Sequence, residues 1–314
     1  MIDPRRDLLI EIAWLNHEYG LTQEEVARRL GVSRSTISRA LADAERQGIV
    51  QVVVTVPLPR EVRLSAELAR LMGVPATVGV AADGEPPMLA AARAAARLIE
   101  RVADAGSATL AISWGRTLSA TARLVRPRAS RGIEIVDAVG HPGGGALVPT
   151  VDVTRSLAAA LGADLTHVPA PAFVAAGAAR DALLASHPVA LALERARRAD
   201  VTLVSVGVVG AGSVVAAAGG VDEAGMALLE AGGAVGEILG HFYDGAGRDV
   251  TVPGNGVVGL TLDDLRASRR VIAVAGGPGK TPALLAALAG GIVHEVVVDD
   301  VMAEVILAAG VRAA

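Results

Sequence analysis

Lys280 is the single lysine in a chain of 314 residues that carries 29 basic side chains. It closes the segment Gly276-Gly277-Pro278-Gly279-Lys280-Thr281, which follows the apolar run Val271–Ala275. Backbone N–H groups of a glycine-rich turn at the start of a helix favour an anion, and Lys280 adds a point charge. Its amine can also lose its proton, as Arg cannot, so a Schiff base is a subordinate expectation. A nucleoside triphosphate loop would need glycine six positions before the lysine, where Val274 stands. A tight turn with an exposed lysine is the bland alternative. Ser113-Trp114-Gly115-Arg116-Thr117 follows a second apolar run. There Gly115 permits close approach of a ligand, and Arg116 and Thr117 can hold a phosphate. A plain helix cap is the alternative. Asp244, before Gly245-Ala246-Gly247-Arg248, either accepts hydrogen bonds from sugar hydroxyls or forms an Asx turn. Asp137 and His141 lie in a loop that could border the same cleft. The site expected is therefore Gly115, Arg116, Thr117, His141, Asp244, Gly277 and Lys280.

A second constellation lies near the amino terminus. Thr22 and Glu25 have the spacing of a capping box, which predicts a helix over Gln23–Leu30. Gly31-Val32-Ser33 turns the chain, and Ser33 caps a helix from Arg34 to about Gln47. Ala27 and Gly31 are small where two helices would cross, and Val26, Leu30, Val32, Ile37 and Leu41 supply a shared core. The outward set is Ser33, Arg34, Ser35, Thr36, Ser38 and Arg39. These groups reach base edges and phosphates in a major groove. Residues 26–47 hold five arginines against Asp43 and Glu45, whereas residues 1–60 balance eight bases with eight acids. Positive charge is thus focused on one face, as operator DNA would require. A helix-turn-helix used for protein contacts is the alternative.

Composition removes other classes. Net charge is −4, so no global basic field exists for nucleic acid or membrane. Cys is absent, which excludes disulfides, thiolate metal sites and a cysteine nucleophile. The six His show no ligand spacing, and neither metal nor cofactor is expected. Gly254-Asn255-Gly256-Val257-Val258-Gly259 matches a dinucleotide fingerprint literally, but it follows Pro253 and opens no helix, so a hairpin or loop is expected. Val201–Val221 runs 21 residues without a charge. Its five glycines favour a buried strand and a glycine-rich loop over a membrane span. The charged start shows no secretory signal, and a cytoplasmic location is expected.

These groups must be positioned by two kinds of structure. Residues 1–50 read as helices, with Leu8, Leu9, Ile12, Ala13, Leu15 and Tyr19 at helical spacing. Residues 49–56 read as a strand. From about Glu61 the pattern alternates. Strands are expected at 77–80, 109–112, 133–136, 201–206, 271–275 and 295–298. Helices are expected at 64–72, 88–103, 119–125, 153–161, 181–197, 223–232 and 281–289. Continuous apolar strands between helices imply a mostly parallel sheet covered on both faces. The fold class is α/β: an all-α helix-turn-helix domain (1–56), a linker (57–63) and a Rossmann-like effector and oligomerisation domain (64–314).

With these residues in hand, the chain resembles the SorC-type sugar-binding transcriptional regulators of bacteria over nearly its whole length. The resemblance is carried by residues 21–50, Ser113–Leu118, Val168-Pro169-Ala170-Pro171, Ala234–Asp244 and Val271–Leu288. It implies an effector domain like the phosphosugar isomerase and glucosamine-phosphate deaminase fold, a phosphorylated sugar as ligand, and dimers or tetramers. The family's effector pocket falls on Gly115, Arg116, Thr117, Asp244 and Lys280. The chain departs from the pattern with Glu237 in place of an expected Asp, with Gly-Pro-Gly before Lys280, and with the loop from His141 to Gly145. The function expected is a DNA-binding regulator, not an enzyme, whose operator affinity responds to a sugar or sugar phosphate. The runner-up is a phosphosugar isomerase or deaminase with a DNA-binding appendage, for which Lys280 and Asp244 would serve as base and stabiliser.

Overall fold

The computed structural model describes residues 4–51, 58–143, 153–210 and 212–310. The chain divides into two compact units, residues 1–58 and 59–314.

In the first unit, α1 (Pro4–Ala13) runs into a π-turn at Trp14–Glu18, followed by α2 (Gln23–Leu30) and α3 (Arg34–Arg46). The capping box forms as its spacing requires. Thr22 Oγ1 accepts the Glu25 N–H, and the Glu25 carboxylate accepts the Thr22 N–H at 2.8 Å. Gly31 ends α2 in a left-handed conformation, φ +69°, and Ser33 Oγ accepts the Thr36 N–H at 3.2 Å to start α3. Ile12, Leu15, Val26, Ala27, Ile37 and Leu41 form the core, with Leu30 half-buried against it. Three expectations are corrected. Val32 is exposed because it sits in the turn itself. Leu8 and Tyr19 are also exposed. The π-turn closes an i→i+5 hydrogen bond from the Tyr19 N–H to the Trp14 carbonyl at 3.1 Å, which breaks the α-helical spacing that would carry Tyr19 onto the buried stripe. Ile49 and Val50 form a bend packed near Ala44, not a strand, and residues 52–57 of the expected strand lie outside the described residues.

The second unit begins with α4 (Arg60–Met72), which starts inside the stretch read as a linker. Pro59 precedes its first turn, and Arg60 pairs with Asp300 and Glu304, both at 2.7 Å. Then come β1 (Ala76–Gly79), α5 (Pro87–Asp104), β2 (Ala108–Ile112), α6 (Arg116–Leu124), β3 (Ile133–Asp137), α7 (Val153–Leu161), β4 (Asp164–Thr166) and β5 (Phe173–Ala175). α8 (Ala178–Ala185) and α9 (His187–Arg197) follow where one helix was expected. The break falls at Ser186, because the Pro188 ring lacks an N–H and would collide with the carbonyl four residues back. Next are β6 (Val201–Ser205), α10 (Val214–Ala217), α11 (Glu223–Ala231), β7 (Ala234–Ile238), β8 (His241–Asp244), β9 (Asp249–Val250), β10 (Asn255–Val257) and α12 (Leu262–Ala267). The chain closes with β11 (Val271–Ala275), a 3₁₀ turn at Pro278–Lys280, α13 (Thr281–Ala289), β12 (Glu295–Asp299) and α14 (Asp300–Ala309).

Among the described residues, seven strands form a parallel sheet in the order β1-β12-β11-β6-β2-β3-β4. The central strands β6, β11 and β12 are buried at every position, so each alternates between two cores. Ile272 and Val274 meet α5, α6 and α7 on one side, and Ala273 and Ala275 meet α4, α12, α13 and α14 on the other. β7, β8 and β9 make a small antiparallel sheet, and β10 pairs with β5. The Asn255-Gly256-Val257 stretch is therefore ribbon, as its context required, and not a nucleotide loop. β6 is buried at every position, in agreement with the strand reading of its uncharged run. No helix among the described residues is long and apolar enough to cross a membrane.

Strand order decides where a ligand can sit. From β2 the chain builds outward through β3 and β4 on one side, then returns to place β6, β11 and β12 on the other. The loops leaving β2 and β6 therefore part in opposite directions, and a crevice opens beyond the carboxyl ends of these neighbouring strands.

Candidate functional site

On α3, Ile37, Leu41 and Ala44 are buried at spacings of four and three, which turns the opposite face to solvent. Ser33, Arg34, Ser35, Thr36, Ser38 and Arg39 are all exposed there. Ser33 Oγ lies 2.8 Å from both the Ser35 and the Thr36 hydroxyls, and Arg39 Nε donates to the Ser35 carbonyl at 3.3 Å. The hydroxyls are thus held over the first turn of the helix. Arg28 and Arg29 add exposed positive charge at the end of α2.

The crevice beyond β2 and β6 is assembled from four strand ends. β2 leads into Ser113-Trp114-Gly115, and α6 starts with Gly115 as its cap at φ +136°. A Cβ at that position would be strained and would overlap the Ser205 side chain at the end of β6. Gly207 exchanges backbone hydrogen bonds of 2.9 and 3.2 Å with Glu237 on β7. A side chain at 207 would lie 2.6 Å from a Glu237 carboxylate oxygen, so glycine is what lets the acid fold into the crevice. Lys280 arrives from the turn after β11. Trp114, Gly115, Arg116, Ser205, Glu237 and Lys280 line the resulting cleft. In this state it encloses about 20 Å³, roughly a single water.

Burial and the two neighbouring cations set its electrostatics. Burial pushes the Glu237 carboxyl up to about 7, against the opposing pull of the Gly240 N–H and of Lys280. Burial and the Arg116 guanidinium push the Lys280 ammonium down, while Glu237 holds it up. The Ser205 and Thr117 hydroxyls and the Trp114 indole nitrogen are buried with no protein partner. Two cations, one titrating acid and the unpaired Ser205 hydroxyl therefore line the cleft, with Arg116 exposed to solvent.

The structure brings together Gly115, Arg116 and Lys280, with Thr117 buried in the first turn of α6 beside them. Three other expected residues stand elsewhere. The Gly277 N–H, at φ +92°, donates to the buried Asp299 carboxylate at 2.7 Å and is not offered to a ligand. His141 lines an adjoining cleft of about 460 Å³ beyond β3, with Asp137, His167 and Trp114, and its Nδ1 accepts the Gly143 N–H. Asp137 there accepts from the Val168 N–H and lies 2.8 Å from His167 Nδ1. Asp244 takes the Asx alternative. Its carboxylate accepts the Ala246 and Arg248 N–H groups at 2.9 Å and pairs with the Arg248 side chain. Those bonds hold its pKa below the usual carboxylate value and leave it outside the cleft. Glu237, noted in the sequence only as a departure from the family pattern, was not among the expected site residues. A carboxylate amid Val235, Gly236, Ile238 and Leu239 was the available signal, since a charged residue in a buried strand needs a reason. No cluster of three or more His, Asp or Glu among the described residues could hold a metal ion.

Residues 57–308 match the family described as "Putative sugar-binding domain", and residues 12–57 match the MarR family. The chain is 27% identical to the erythritol catabolism regulatory protein EryD of Brucella abortus, covering 98% of each chain. It is 30% identical to the transcriptional regulator LsrR of Escherichia coli SMS-3-5, covering 94% of this chain and 93% of that one. The full-length sorbitol operon regulator SorC of Klebsiella pneumoniae superposes with a TM-score of 0.72 at 26% identity, over 98% of this chain and all of that one. These relatives are regulators and not sugar-phosphate enzymes. The chain belongs to the SorC-type sugar-binding transcriptional regulators.

Proposed function

We propose that the protein is a one-component regulator that reads operator DNA with Ser33, Arg34, Ser35, Thr36, Ser38 and Arg39. In this reading residues 1–56 form the DNA-binding domain and the remainder binds the effector and drives oligomerisation. A homodimer or homotetramer presents α3 twice or more, to half-sites about one helical turn or a multiple apart. The effector is a sugar phosphate: Arg116, Thr117 and Lys280 hold the phosphate, and Glu237, in place of Asp244, orients a hydroxyl. The observation that carries this reading is the convergence of Arg116, Lys280 and buried Glu237 at the point where the strand order reverses. A cleft that encloses about 20 Å³ must open to admit a sugar, so ligand binding selects a second state. Coupling of about 1–3 kcal/mol would change operator affinity about 5–150-fold.

Selection of genomic DNA fragments by the full-length protein tests the DNA half. A shared, two-fold symmetric site enriched by the wild type and not by Arg39→Ala supports the reading. Enrichment of no common sequence defeats it.

A further inference from the structure

A cavity of about 310 Å³ lies between the β5–β10 ribbon and the β8–β9 hairpin, and it shares no lining residue with the switch-point cleft or with the His141 cleft. The chain has two phenylalanines, and both Phe173 and Phe242 line this cavity. Around them stand Arg180, His241, Asp249 and Asn255. Each presents hydrogen-bonding capacity that the fold leaves unused. Arg180 is anchored by Nε, which donates to the Val257 carbonyl at 2.9 Å, with a distant contact of 3.6 Å from Nη1 to Asp181. Asn255 donates through Nδ2 to the Gly220 carbonyl at 2.6 Å, which leaves its amide oxygen as an acceptor. The half-exposed Asp249 carboxylate has Arg266 no nearer than 3.9 Å. His241 Nε2 is shielded from solvent without a partner, and burial holds the ring below its ordinary pKa.

We propose that this cavity is a second small-molecule site, and that it takes an uncharged polyol or sugar without phosphate. Aromatic rings give the C–H faces of a polyol an apolar surface, and planar donors and acceptors take its hydroxyls in pairs. Charge selects against phosphate, because Arg180 is balanced by Asp249 and a doubly charged group would face a carboxylate. The switch-point cleft has the opposite balance, with Arg116 and Lys280 against one acid that titrates near neutrality. The two sites adjoin through the Trp114 and Phe173 rings, whose centroids lie 5.4 Å apart. The proposal does not depend on what the switch-point cleft binds.

Isothermal titration of the full-length protein with erythritol, ribose, glucose and sorbitol tests it. At least one of these should bind once per chain in the wild type and in Lys280→Ala. Asp249→Asn, whose side chain is half-exposed and keeps its size, should weaken that binding by about tenfold or more, as expected for losing a charged acceptor. Arg180→Lys retains the charge but not the planar fork, and it should weaken the same compound. Circular dichroism melts matching the wild type establish that the variants are folded. Binding of none of the four compounds overturns the proposal. So does binding that Lys280→Ala abolishes, or binding that both Asp249→Asn and Arg180→Lys leave unchanged.

Discussion

Replacing Glu237 with Gln should change how stability depends on pH. The carboxyl titrates near 4.5 in the unfolded chain and near 7 in the folded one, because burial disfavours the anion. Between these values the folded state keeps a proton that the unfolded state has lost, so stability falls as pH rises. The gap of about 2.5 pH units is worth about 3 kcal/mol in total, and about 2 kcal/mol of it lies between roughly pH 5.5 and 8. Gln carries no charge at either pH and should remove that part of the slope. The measurement is urea unfolding of both proteins at the two pH values. The readout is fluorescence of Trp114 in a Trp14→Phe background, since these are the two tryptophans and Trp14 lies in the other unit. Titrating groups that Glu237 does not influence cancel in the difference between the proteins. The wild type should lose about 2 kcal/mol more than Glu237→Gln on going to the higher pH. Equal losses would refute the placement of Glu237 as a buried acid held largely in its protonated form below neutrality.

Arg39→Ala should weaken operator binding and lower the salt slope by about one if the guanidinium meets a phosphate, while effector binding stays unchanged; anisotropy across a salt series measures this. Gly115→Ala should lower the melting temperature of the effector unit and abolish effector binding, since it strains a φ of +136° and drives Cβ into Ser205. Ser33→Ala should cost about 0.5–2 kcal/mol of stability in the first unit through loss of the α3 cap, read by chemical unfolding followed at Trp14.

Six of the seven strands of the parallel sheet were legible as apolar runs between alanine-rich helices, whereas the short edge strand β4, Asp164–Thr166, was missed because it is three residues long and partly exposed. The caps at Thr22 and Ser33 were legible for a local reason: a hydroxyl and its N–H partner lie within one turn. The β7–β8 hairpin was not read as strands. Its turn uses Leu239 and Gly240, both at positive φ, instead of the Asn-Gly or Asp-Gly pair that advertises such a turn. α14 was also missed, because Asp299 both ends β12 and caps the helix, which removes any loop that would mark the boundary. At the site, Arg116 and Lys280 could be found from the strand-to-turn context of each. Asp244 could not be resolved, since an aspartate before glycines is the same signal for a turn and for a ligand. Glu237 reaches the cleft from a strand outside the main sheet, a placement that tertiary packing alone decides.

The central claim is that a sugar phosphate held by Lys280 and Arg116 controls the grip of α3 on DNA. Fluorescence anisotropy of the full-length protein on its selected operator, titrated with a panel of sugars and sugar phosphates, tests it most directly. One phosphorylated sugar should change operator affinity at least about fivefold, within the usual range of allosteric coupling. Lys280→Ala should bind the operator as the wild type does but lose that response. Operator binding that every compound leaves unchanged, or a response that survives Lys280→Ala intact, would contradict the account.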